Sequence, residues 1–221
     1  MKTIAFVPIK LNNERLPGKN VKKFTNGEPL LSYILNTLGE VKDVDDIYVY
    51  CSSEMIVDYL PDHVKWLKRD PYYDLSTTSF NEVLISFAEA VEADVYVLTH
   101  ATAPFISAES IERGIRAVGG EGYDSALSVS CLQEFLWKDN KPFNYDLENI
   151  PRTQDLEPLY YETCGLYVYT KELILEKQRR IGERPFLIHV SRMEACDINT
   201  PEDFEMADAI YNYQRLKKDV L

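Results

Sequence analysis

The stretch TIAFVPIKLNNERLPGKN, residues 3–20, joins an apolar segment to a basic loop. Residues 3–9 have the composition of a buried strand. The loop that follows carries Lys10, Arg15 and Lys19 together with a Pro-Gly pair, and such a pair can set a tight turn that exposes backbone N–H groups. Loops at strand ends are frequent binding sites. The stretch therefore predicts a buried strand and a candidate site for an anion, with a solvated loop as the alternative.

The rest of the chain alternates between strand-like and helix-like segments. Alternation of this kind predicts an α/β fold with a mostly parallel sheet and right-handed crossovers. Ligands of such sheets bind beyond the carboxyl ends of the strands. Candidate N-caps precede two of the helices, at Ser76 to Ser79 and at Ser107. Strands are predicted at 46–52, 64–69, 94–100, 124–131, 161–170 and 185–190, and helices at 29–41, 76–92, 107–118 and 201–218.

The alternation breaks down between Phe135 and Leu159, where the sequence is polar and carries isolated aromatic residues. Long irregular stretches in a compact domain are usually functional or interfacial. We expect one domain over residues 1–221, with 135–160 as an excursion that packs against a partner subunit or closes over a substrate.

Composition narrows the classes of function. The 221 residues carry a formal net charge of −12 with 45% hydrophobic residues, which argues against a nucleic-acid-binding surface. No apolar run approaches the roughly 20 residues that span a bilayer, and no signal peptide is apparent. The four cysteines are scattered, so a disulfide framework or zinc site is not expected. These features predict a cytoplasmic protein without a membrane or nucleic-acid partner.

Further polar residues follow other predicted strands. Arg69 follows the third strand, and His100 and Thr102 follow the fourth. Asp197 and Asn199 flank one isoleucine, and residues two apart in an extended segment point the same way. A carboxylate and an amide oxygen could then share a magnesium ion. The alternative is a solvated Asp197, with Asn199 or Thr200 capping the last helix.

Four segments stand in order along the chain: VPIKLNNERLPGKN, HATAPF, RTQDLEPLYYETCGLYVY and CDINTPEDFEMADAI. Together they resemble the acylneuraminate cytidylyltransferases (CMP-sialic acid synthetases) and the related 3-deoxy-manno-octulosonate cytidylyltransferases. The loop VPIKLNNERLPGKN is similar to the family signature IPARxGSKxxPxKN, and HATAPF is similar to QPTSPL. RTQDLEPLYYETCGLYVY resembles RQDLPPxYxENGAIYI, and CDINTPEDFEMADAI resembles IDIDTPEDLxxAE. The resemblance covers nearly the whole chain.

The resemblance implies a three-layer α/β nucleotidyltransferase (Rossmann-like) fold with a small dimerisation excursion, and hence a homodimer. It implies a Mg²⁺-dependent reaction of CTP with a nonulosonic (sialic-acid-like) sugar, giving a CMP-sugar and pyrophosphate. Lys19 and Asp197 would be catalytic, and Asp197 and Asn199 would hold the metal. The nucleotide would be bound by Lys10, Asn12, Asn13, Lys19, Asn20, Arg69 and Ser79, and the sugar by His100, Thr102, Arg152 and Gln154, the last two possibly from across the dimer.

Four positions depart from the family motifs. Lys10 stands for an arginine, His100 for a glutamine and Asn199 for the second aspartate, while ETCG has one residue more than ENG. These departures affect the expected substrate more than the reaction class. Two alternatives stay open: a non-catalytic nucleotide-binding relative, and a glycosyltransferase of similar architecture, although no DxD motif follows a central strand.

Overall fold

The computed structural model describes the backbone of residues 1–220 and the side chains of residues 1–216. Strands and helices alternate along most of this length, as the sequence predicts. The strands are β1 Thr3–Ile9, β2 Asp46–Cys51, β3 Val64–Lys68, β4 Val95–Thr99, β5 Ser125–Leu132, β6 Trp137–Lys138, β7 Lys141–Pro142, β8 Leu159–Thr170 and β9 Pro185–His189. The helices are α1 Leu30–Glu40, α2 Phe80–Ala90, α3 Ala108–Gly120, α4 Lys171–Lys177 and α5 Pro201–Val220, with short 3₁₀-helices at Lys19–Val21, Glu54–Tyr59, Pro71–Asp74 and Thr153–Asp155.

Seven of the strands described within residues 1–220 form one sheet, in the order β3-β2-β1-β4-β8-β5-β9. Strand β8 runs antiparallel to its neighbours β4 and β5, and the other adjacent pairs are parallel. This confirms the mostly parallel α/β sheet. The sequence pattern did not indicate which strand is reversed.

The sheet is covered on both faces, which makes three layers. Helices α1 and α3 pack on one face with Ala5, Val7 and Ile9 of β1. Helices α2 and α4 pack on the other face with Ile4 and Phe6. Burial of β1 on both sides explains its continuous apolar run, since each buried side chain of this kind contributes about 1.5–3 kcal/mol. The carboxyl end of β1 is thereby fixed in the middle of the sheet.

The helix starts follow ordinary capping chemistry. Among the four candidate N-caps before α2, the structure uses Ser79, whose hydroxyl accepts a hydrogen bond from the backbone N–H of Glu82 at 3.3 Å in a reciprocal capping box. Ser107 caps α3 as predicted. Helix α4 was missed, because its seven residues are too few to show a clear apolar period.

The excursion contains little regular structure, as expected. Its β6–β7 hairpin has two residues in each strand, and Asp139 and Asn140 adopt left-handed conformations at the turn. No helix in the described part of the chain is both long and apolar enough to cross a membrane.

Strand β8 carries a β-bulge where it passes the carboxyl end of β4. Its register against β5 shifts between Leu127 and Val129, and Cys164 lies in the left-handed region at φ 59°. Gly165 follows, and a Cβ atom there would lie 3.0 Å from the Cβ of Ala103 in the loop after β4. The ETCG segment therefore passes through a bulge of β8 beside that loop.

Candidate functional site

The basic loop after β1 folds back on itself. Gly18, at φ 66°, takes the left-handed conformation that leads into the 3₁₀-helix Lys19–Val21. The side-chain amide of Asn20 donates a hydrogen bond to the carbonyl of Lys10 at 3.0 Å. Lys19 and Asn20 are only 9% and 5% exposed. The reading of this loop as a solvated surface segment is therefore wrong for these two residues.

The backbone of Ile198 connects three segments of the site. Its carbonyl accepts a hydrogen bond from Lys19 Nζ at 2.7 Å. Its N–H donates to the carbonyl of Thr102 at 2.9 Å, while its side chain is fully buried. The basic loop and the loop after β4 therefore meet at the Asp197–Asn199 segment, as the three strand-end motifs predict.

Asp197 and Asn199 lie together beside this junction. The amide Nδ2 of Asn199 donates to Asp197 Oδ2 at 2.5 Å. Helix α5 is capped by other groups: Thr200 Oγ1 accepts from the N–H of Asp203 at 3.2 Å, and Asp203 Oδ2 accepts from the N–H groups of Thr200 and Asn199 at 2.8 and 2.9 Å. The side chain of Asn199 is therefore directed to Asp197 rather than to the helix terminus.

The charge of Lys19 is balanced by nearby carboxylates. Burial lowers the pKa of Lys19, and the positive charge of Arg15 acts in the same direction. The carboxylates of Asp197 and Asp203 oppose both effects. Lys19 is thus a partly desolvated amine beside Asp197, where its interaction with an added anion is screened less than at the surface.

His100 lies half-buried after β4, with its ring centre 5.5 Å from that of Phe80. Burial lowers the pKa of His100 to about 4, with smaller contributions from the charges of Arg180 and Lys19, while Asp197 acts in the opposite direction. The imidazole is therefore neutral at neutral pH. It can donate one hydrogen bond and accept another, but it supplies no positive charge to a phosphate.

Arg69 is buried, with 3% of its surface exposed. Its Nη2 donates to the carbonyl of Ile9 at 2.8 Å and also to Asp74. Its Nε is buried with no hydrogen-bond partner among the described residues. Arg69 therefore connects the end of β1 to the turn after β3, and its charge is paired with that of Asp74.

Two adjoining clefts lie beside the basic loop. One, of about 380 Å³, is lined in part by Lys10, Asn13 and Lys19, and the other, of about 250 Å³, by Lys10 and Arg69. Asn13 Oδ1 is buried with no partner among the described residues, whereas Asn12 is exposed. A cavity of about 610 Å³ beside Met1 and Thr3 lies at the amino end of β1, away from the candidate residues that follow the carboxyl ends of the strands.

Arg152 and Gln154 lie apart from this group in the single chain. Both are exposed. Arg152 pairs with Asp155 at 2.7 Å, and the carbonyl of Gln154 accepts from Gln133 at 3.3 Å. Within the described residues, neither contacts the candidate residues at the strand ends. The chain by itself therefore does not bring them to the predicted sugar site.

One cationic residue near His100 is not among the site residues predicted from the sequence. Arg180, in the segment after α4, pairs with Glu162 at 3.3 Å and lies 4.1 Å from the ring centre of Tyr167. Its guanidinium is also 5.4 Å from the ring centre of Phe80, the ring that neighbours His100. Only the fold brings Arg180 here, because it follows a helix that the sequence did not reveal.

The family model of the cytidylyltransferases matches residues 4–219 of the 221. The chain belongs to this family. The match runs through the basic loop, the strand-end residues and the Asp197–Asn199 segment, which agrees with the resemblance of the four motifs.

The chain is similar to curated cytidylyltransferases, some of which are about twice its length and some of about the same length. An N-acylneuraminate cytidylyltransferase of Streptococcus agalactiae is 24% identical over 92% of this chain and 52% of its own length. A CMP-N,N'-diacetyllegionaminic acid synthase of Legionella pneumophila is 26% identical over 95% of this chain and 96% of its own length. The chain thus spans about half the length of the first relatives it matches, and nearly all of the second.

Solved structures confirm the nucleotidyltransferase fold. A CMP:2-keto-3-deoxy-manno-octonic acid synthetase complexed with CTP superposes with a TM-score of 0.70 and 14% identity, covering 97% of this chain and 100% of that one. A 4-diphosphocytidyl-2C-methyl-D-erythritol synthase from Anaerococcus prevotii superposes with a TM-score of 0.69 and 14% identity, covering 96% of each chain. The three-layer fold of this chain is therefore the fold of its structural neighbours.

Proposed function

We propose that the chain transfers CMP from CTP to an acid sugar of the nonulosonic class and releases pyrophosphate. The observation that carries the proposal is the 2.7 Å hydrogen bond from Lys19 Nζ to the Ile198 carbonyl, because it places the buried cation of the basic loop beside Asp197. The relatives support the substrate class by their names, which include acylneuraminate, legionaminic acid and pseudaminic acid enzymes.

The chain's own residues would act mainly by positioning and charge neutralisation. The anomeric hydroxyl of the sugar attacks the α-phosphorus of CTP, and the bond to pyrophosphate breaks. Lys19 Nζ stabilises the negative charge on the phosphates. Lys10, Asn12, Asn13 and Asn20 bind the triphosphate and ribose in the cleft. Arg69 lines the cleft and helps to fix its shape. Ser79 is the N-cap of α2 and holds the start of that helix in place.

The sugar would bind on the side of His100 and Thr102. Because His100 is neutral, it orients sugar or nucleotide groups by hydrogen bonding and carries no formal charge. No side chain within residues 1–216 stands out as a strong general base, so the proton of the attacking hydroxyl passes to solvent or to a phosphate oxygen.

The donor set at Asp197 and Asn199 fits Mg²⁺. No group of three or more His, Cys, Asp or Glu side chains in the described residues is arranged to hold a metal, but Mg²⁺ commonly takes one or two protein oxygens plus water and phosphate. The bond between the two side chains uses Asn199 Nδ2 and Asp197 Oδ2, which leaves Asn199 Oδ1 and Asp197 Oδ1 as oxygen ligands. A bound Mg²⁺ would supply further positive charge against the phosphates.

The excursion supports a homodimer. Trp137, Phe143, Leu147 and Ile150 are each between 58% and 60% exposed, and exposed apolar groups of this density mark interaction surfaces. We propose that a second copy covers them and that Arg152 and Gln154 reach the partner's sugar site. Sedimentation of the wild type against the Trp137→Ser/Phe143→Ser variant tests this, with a dimer expected for the first and a monomer for the second. A monomeric wild type contradicts it.

A cytoplasmic location belongs to the same proposal. The four cysteines are free in the described part of the chain, which suits a reducing compartment.

Calorimetry with CTP and Mg²⁺, followed by a pyrophosphate assay, tests the reaction. The acid sugars to compare are N-acetylneuraminate, N,N'-diacetyllegionaminate, pseudaminate and 3-deoxy-manno-octulosonate. Pyrophosphate release that needs one of these acids is expected. Binding of CTP without release on any of them identifies a non-catalytic relative. Transfer from a ready-made CMP-sugar identifies a glycosyltransferase.

A further inference from the structure

Three polar groups meet on the face of the sheet that carries α2 and α4. Arg180 Nη2 lies 3.3 Å from Glu162 Oε1 and 3.3 Å from the hydroxyl of Tyr167. The Tyr167 hydroxyl in turn donates to Glu162 Oε1. Burial and the Glu162 carboxylate raise the pKa of Tyr167, so this hydroxyl remains a donor. The three side chains form a hydrogen-bonded cluster, called here the Arg180 cluster.

The bulge in β8 makes this cluster possible. Side chains alternate between the two faces of a regular strand, so residues five apart such as 162 and 167 point to opposite faces. Across the bulge the register of β8 against β5 shifts by three residues, from the Leu127–Tyr167 pair to the Val129–Glu162 pair. A shift by an odd number of residues inverts the alternation of faces. Glu162 and Tyr167 therefore point the same way. The ETCG segment, which is one residue longer than the family motif, enters this bulge.

The cluster borders the candidate sugar site. The Arg180 guanidinium and the His100 ring both lie within 5.5 Å of the Phe80 ring centre. The side chains of Arg180 and Glu162 are 23% and 37% exposed, so both can be reached by a ligand. The cluster takes no part in the proposed handling of phosphates or metal.

The atoms of Arg180 and Glu162 that make no hydrogen bond within the cluster indicate which ligand group the two side chains would bind. Within the described residues, every hydrogen bond of Arg180 comes from Nη2, and every bond to the Glu162 carboxylate goes to Oε1. Nη1 of the arginine remains as a donor and Oε2 of the glutamate as an acceptor. A donor beside an acceptor suits a hydroxyl group, which needs both. A carboxylate suits it poorly, because Glu162 neutralises Arg180 and would repel a second negative charge.

We propose that Arg180 and Glu162 together bind hydroxyl groups of the acid sugar and so determine which sugar is used. This inference rests on the proposed function, because it concerns the second substrate of that reaction. It assigns the sugar's carboxylate to another part of the site.

Steady-state kinetics with the best of the four acid sugars tests the pair. Arg180→Gln is expected to raise the KM for the sugar at least about tenfold, the scale of one charge-assisted hydrogen bond. The KM for CTP should stay within about twofold of the wild type, because no nucleotide-binding residue is touched. Arg179→Gln is the matched control: it changes the neighbouring arginine, which pairs with Glu183, and it should leave both constants unchanged.

The Glu162→Gln variant shows whether Arg180 and Glu162 bind hydroxyl groups of the sugar or whether Arg180 binds its carboxylate. If the pair binds hydroxyls, the loss of a charged acceptor raises the KM for the sugar several-fold. If Arg180 instead binds the carboxylate, removal of the competing negative charge lowers that KM. A lower KM, or no change in either variant, overturns the inference.

Two further measurements separate the possible failures. Calorimetric titration with CTP shows whether each variant retains a folded nucleotide site, and Arg180→Lys keeps the charge should Arg180→Gln not fold. The lysine variant is expected to give an intermediate KM, because it lacks the fork of donors. An active wild type with unchanged variants overturns this inference alone. A wild type inactive with all four acids overturns the proposed function and the inference with it.

Discussion

Replacement of Lys19 by methionine removes a buried cation while keeping most of its apolar volume. The Nζ–Ile198 carbonyl bond of 2.7 Å is lost, and an unsatisfied buried acceptor costs about 1–3 kcal/mol of stability. In catalysis, the loss of one preorganised charge contact typically lowers kcat by about 10²–10³. We therefore expect Lys19→Met to fold with a modestly lower free energy of unfolding and to lose at least about a hundredfold in turnover.

Two assays separate these effects. Single-turnover release of pyrophosphate from CTP measures the chemical step, and urea denaturation measures stability. Lys23→Met is the matched control, because it removes a nearby but exposed lysine of the same basic segment. The control should match the wild type in both assays.

One result would contradict a catalytic role for Lys19. If Lys19→Met loses stability as expected but releases pyrophosphate at close to the wild-type rate, then Lys19 serves only to anchor Ile198. The catalytic role would then pass to another cation of the loop, such as Lys10 or Arg15.

Three other perturbations test separate parts of the site. Asn199→Asp adds a second carboxylate beside Asp197 and should lower several-fold the Mg²⁺ concentration that gives half-maximal pyrophosphate release; an unchanged Mg²⁺ dependence would show that position 199 is not a ligand. The pKa of His100 is lowered from 6.5 to about 4 on folding, so the unfolded state binds the proton more readily and stability should fall as pH drops from about 6.5 towards 4. In urea denaturation, the free energy of unfolding of His100→Gln should fall less steeply across that pH range than that of the wild type. Identical slopes would show that His100 does not cause the pH dependence. Arg69→Met leaves the Asp74 carboxylate without its buried partner and should cost about 3–5 kcal/mol in the free energy of unfolding; thermal denaturation within a degree or two of the wild type would contradict it.

The parts of the fold that follow from local pattern could be predicted from the sequence. Continuous apolar runs and helical periods located the main strands and helices to within a few residues, because burial on one or both faces imposes those patterns. The reversal of β8 could not be predicted, since an antiparallel strand buried in a sheet has the same apolar run as a parallel one. The choice of Ser79 over three neighbouring hydroxyls depended on Glu82 standing three residues later.

Some residues of the candidate site could likewise be predicted from the sequence, and others could not. Lys19, Thr102 and Asp197 were placed together by the rule that ligands gather at the carboxyl ends of strands, and the structure joins their segments at Ile198. The buried pairing of Arg69 with Asp74 was not predicted, because it depends on a turn between them. Arg180 reaches the site only through the chain path after α4, which no local signal reveals.

The junction at Ile198 also bears on how such a site could be redesigned. The main-chain carbonyl of Ile198 accepts from Lys19 Nζ and its N–H donates to the Thr102 carbonyl, while the buried isoleucine side chain keeps the segment in the core. The flanking positions 197 and 199 are consequently free to change chemistry without loss of that attachment. A protein engineer could alter the ion preference or the charge of the site by exchanging these two side chains, while the surrounding scaffold stays the same.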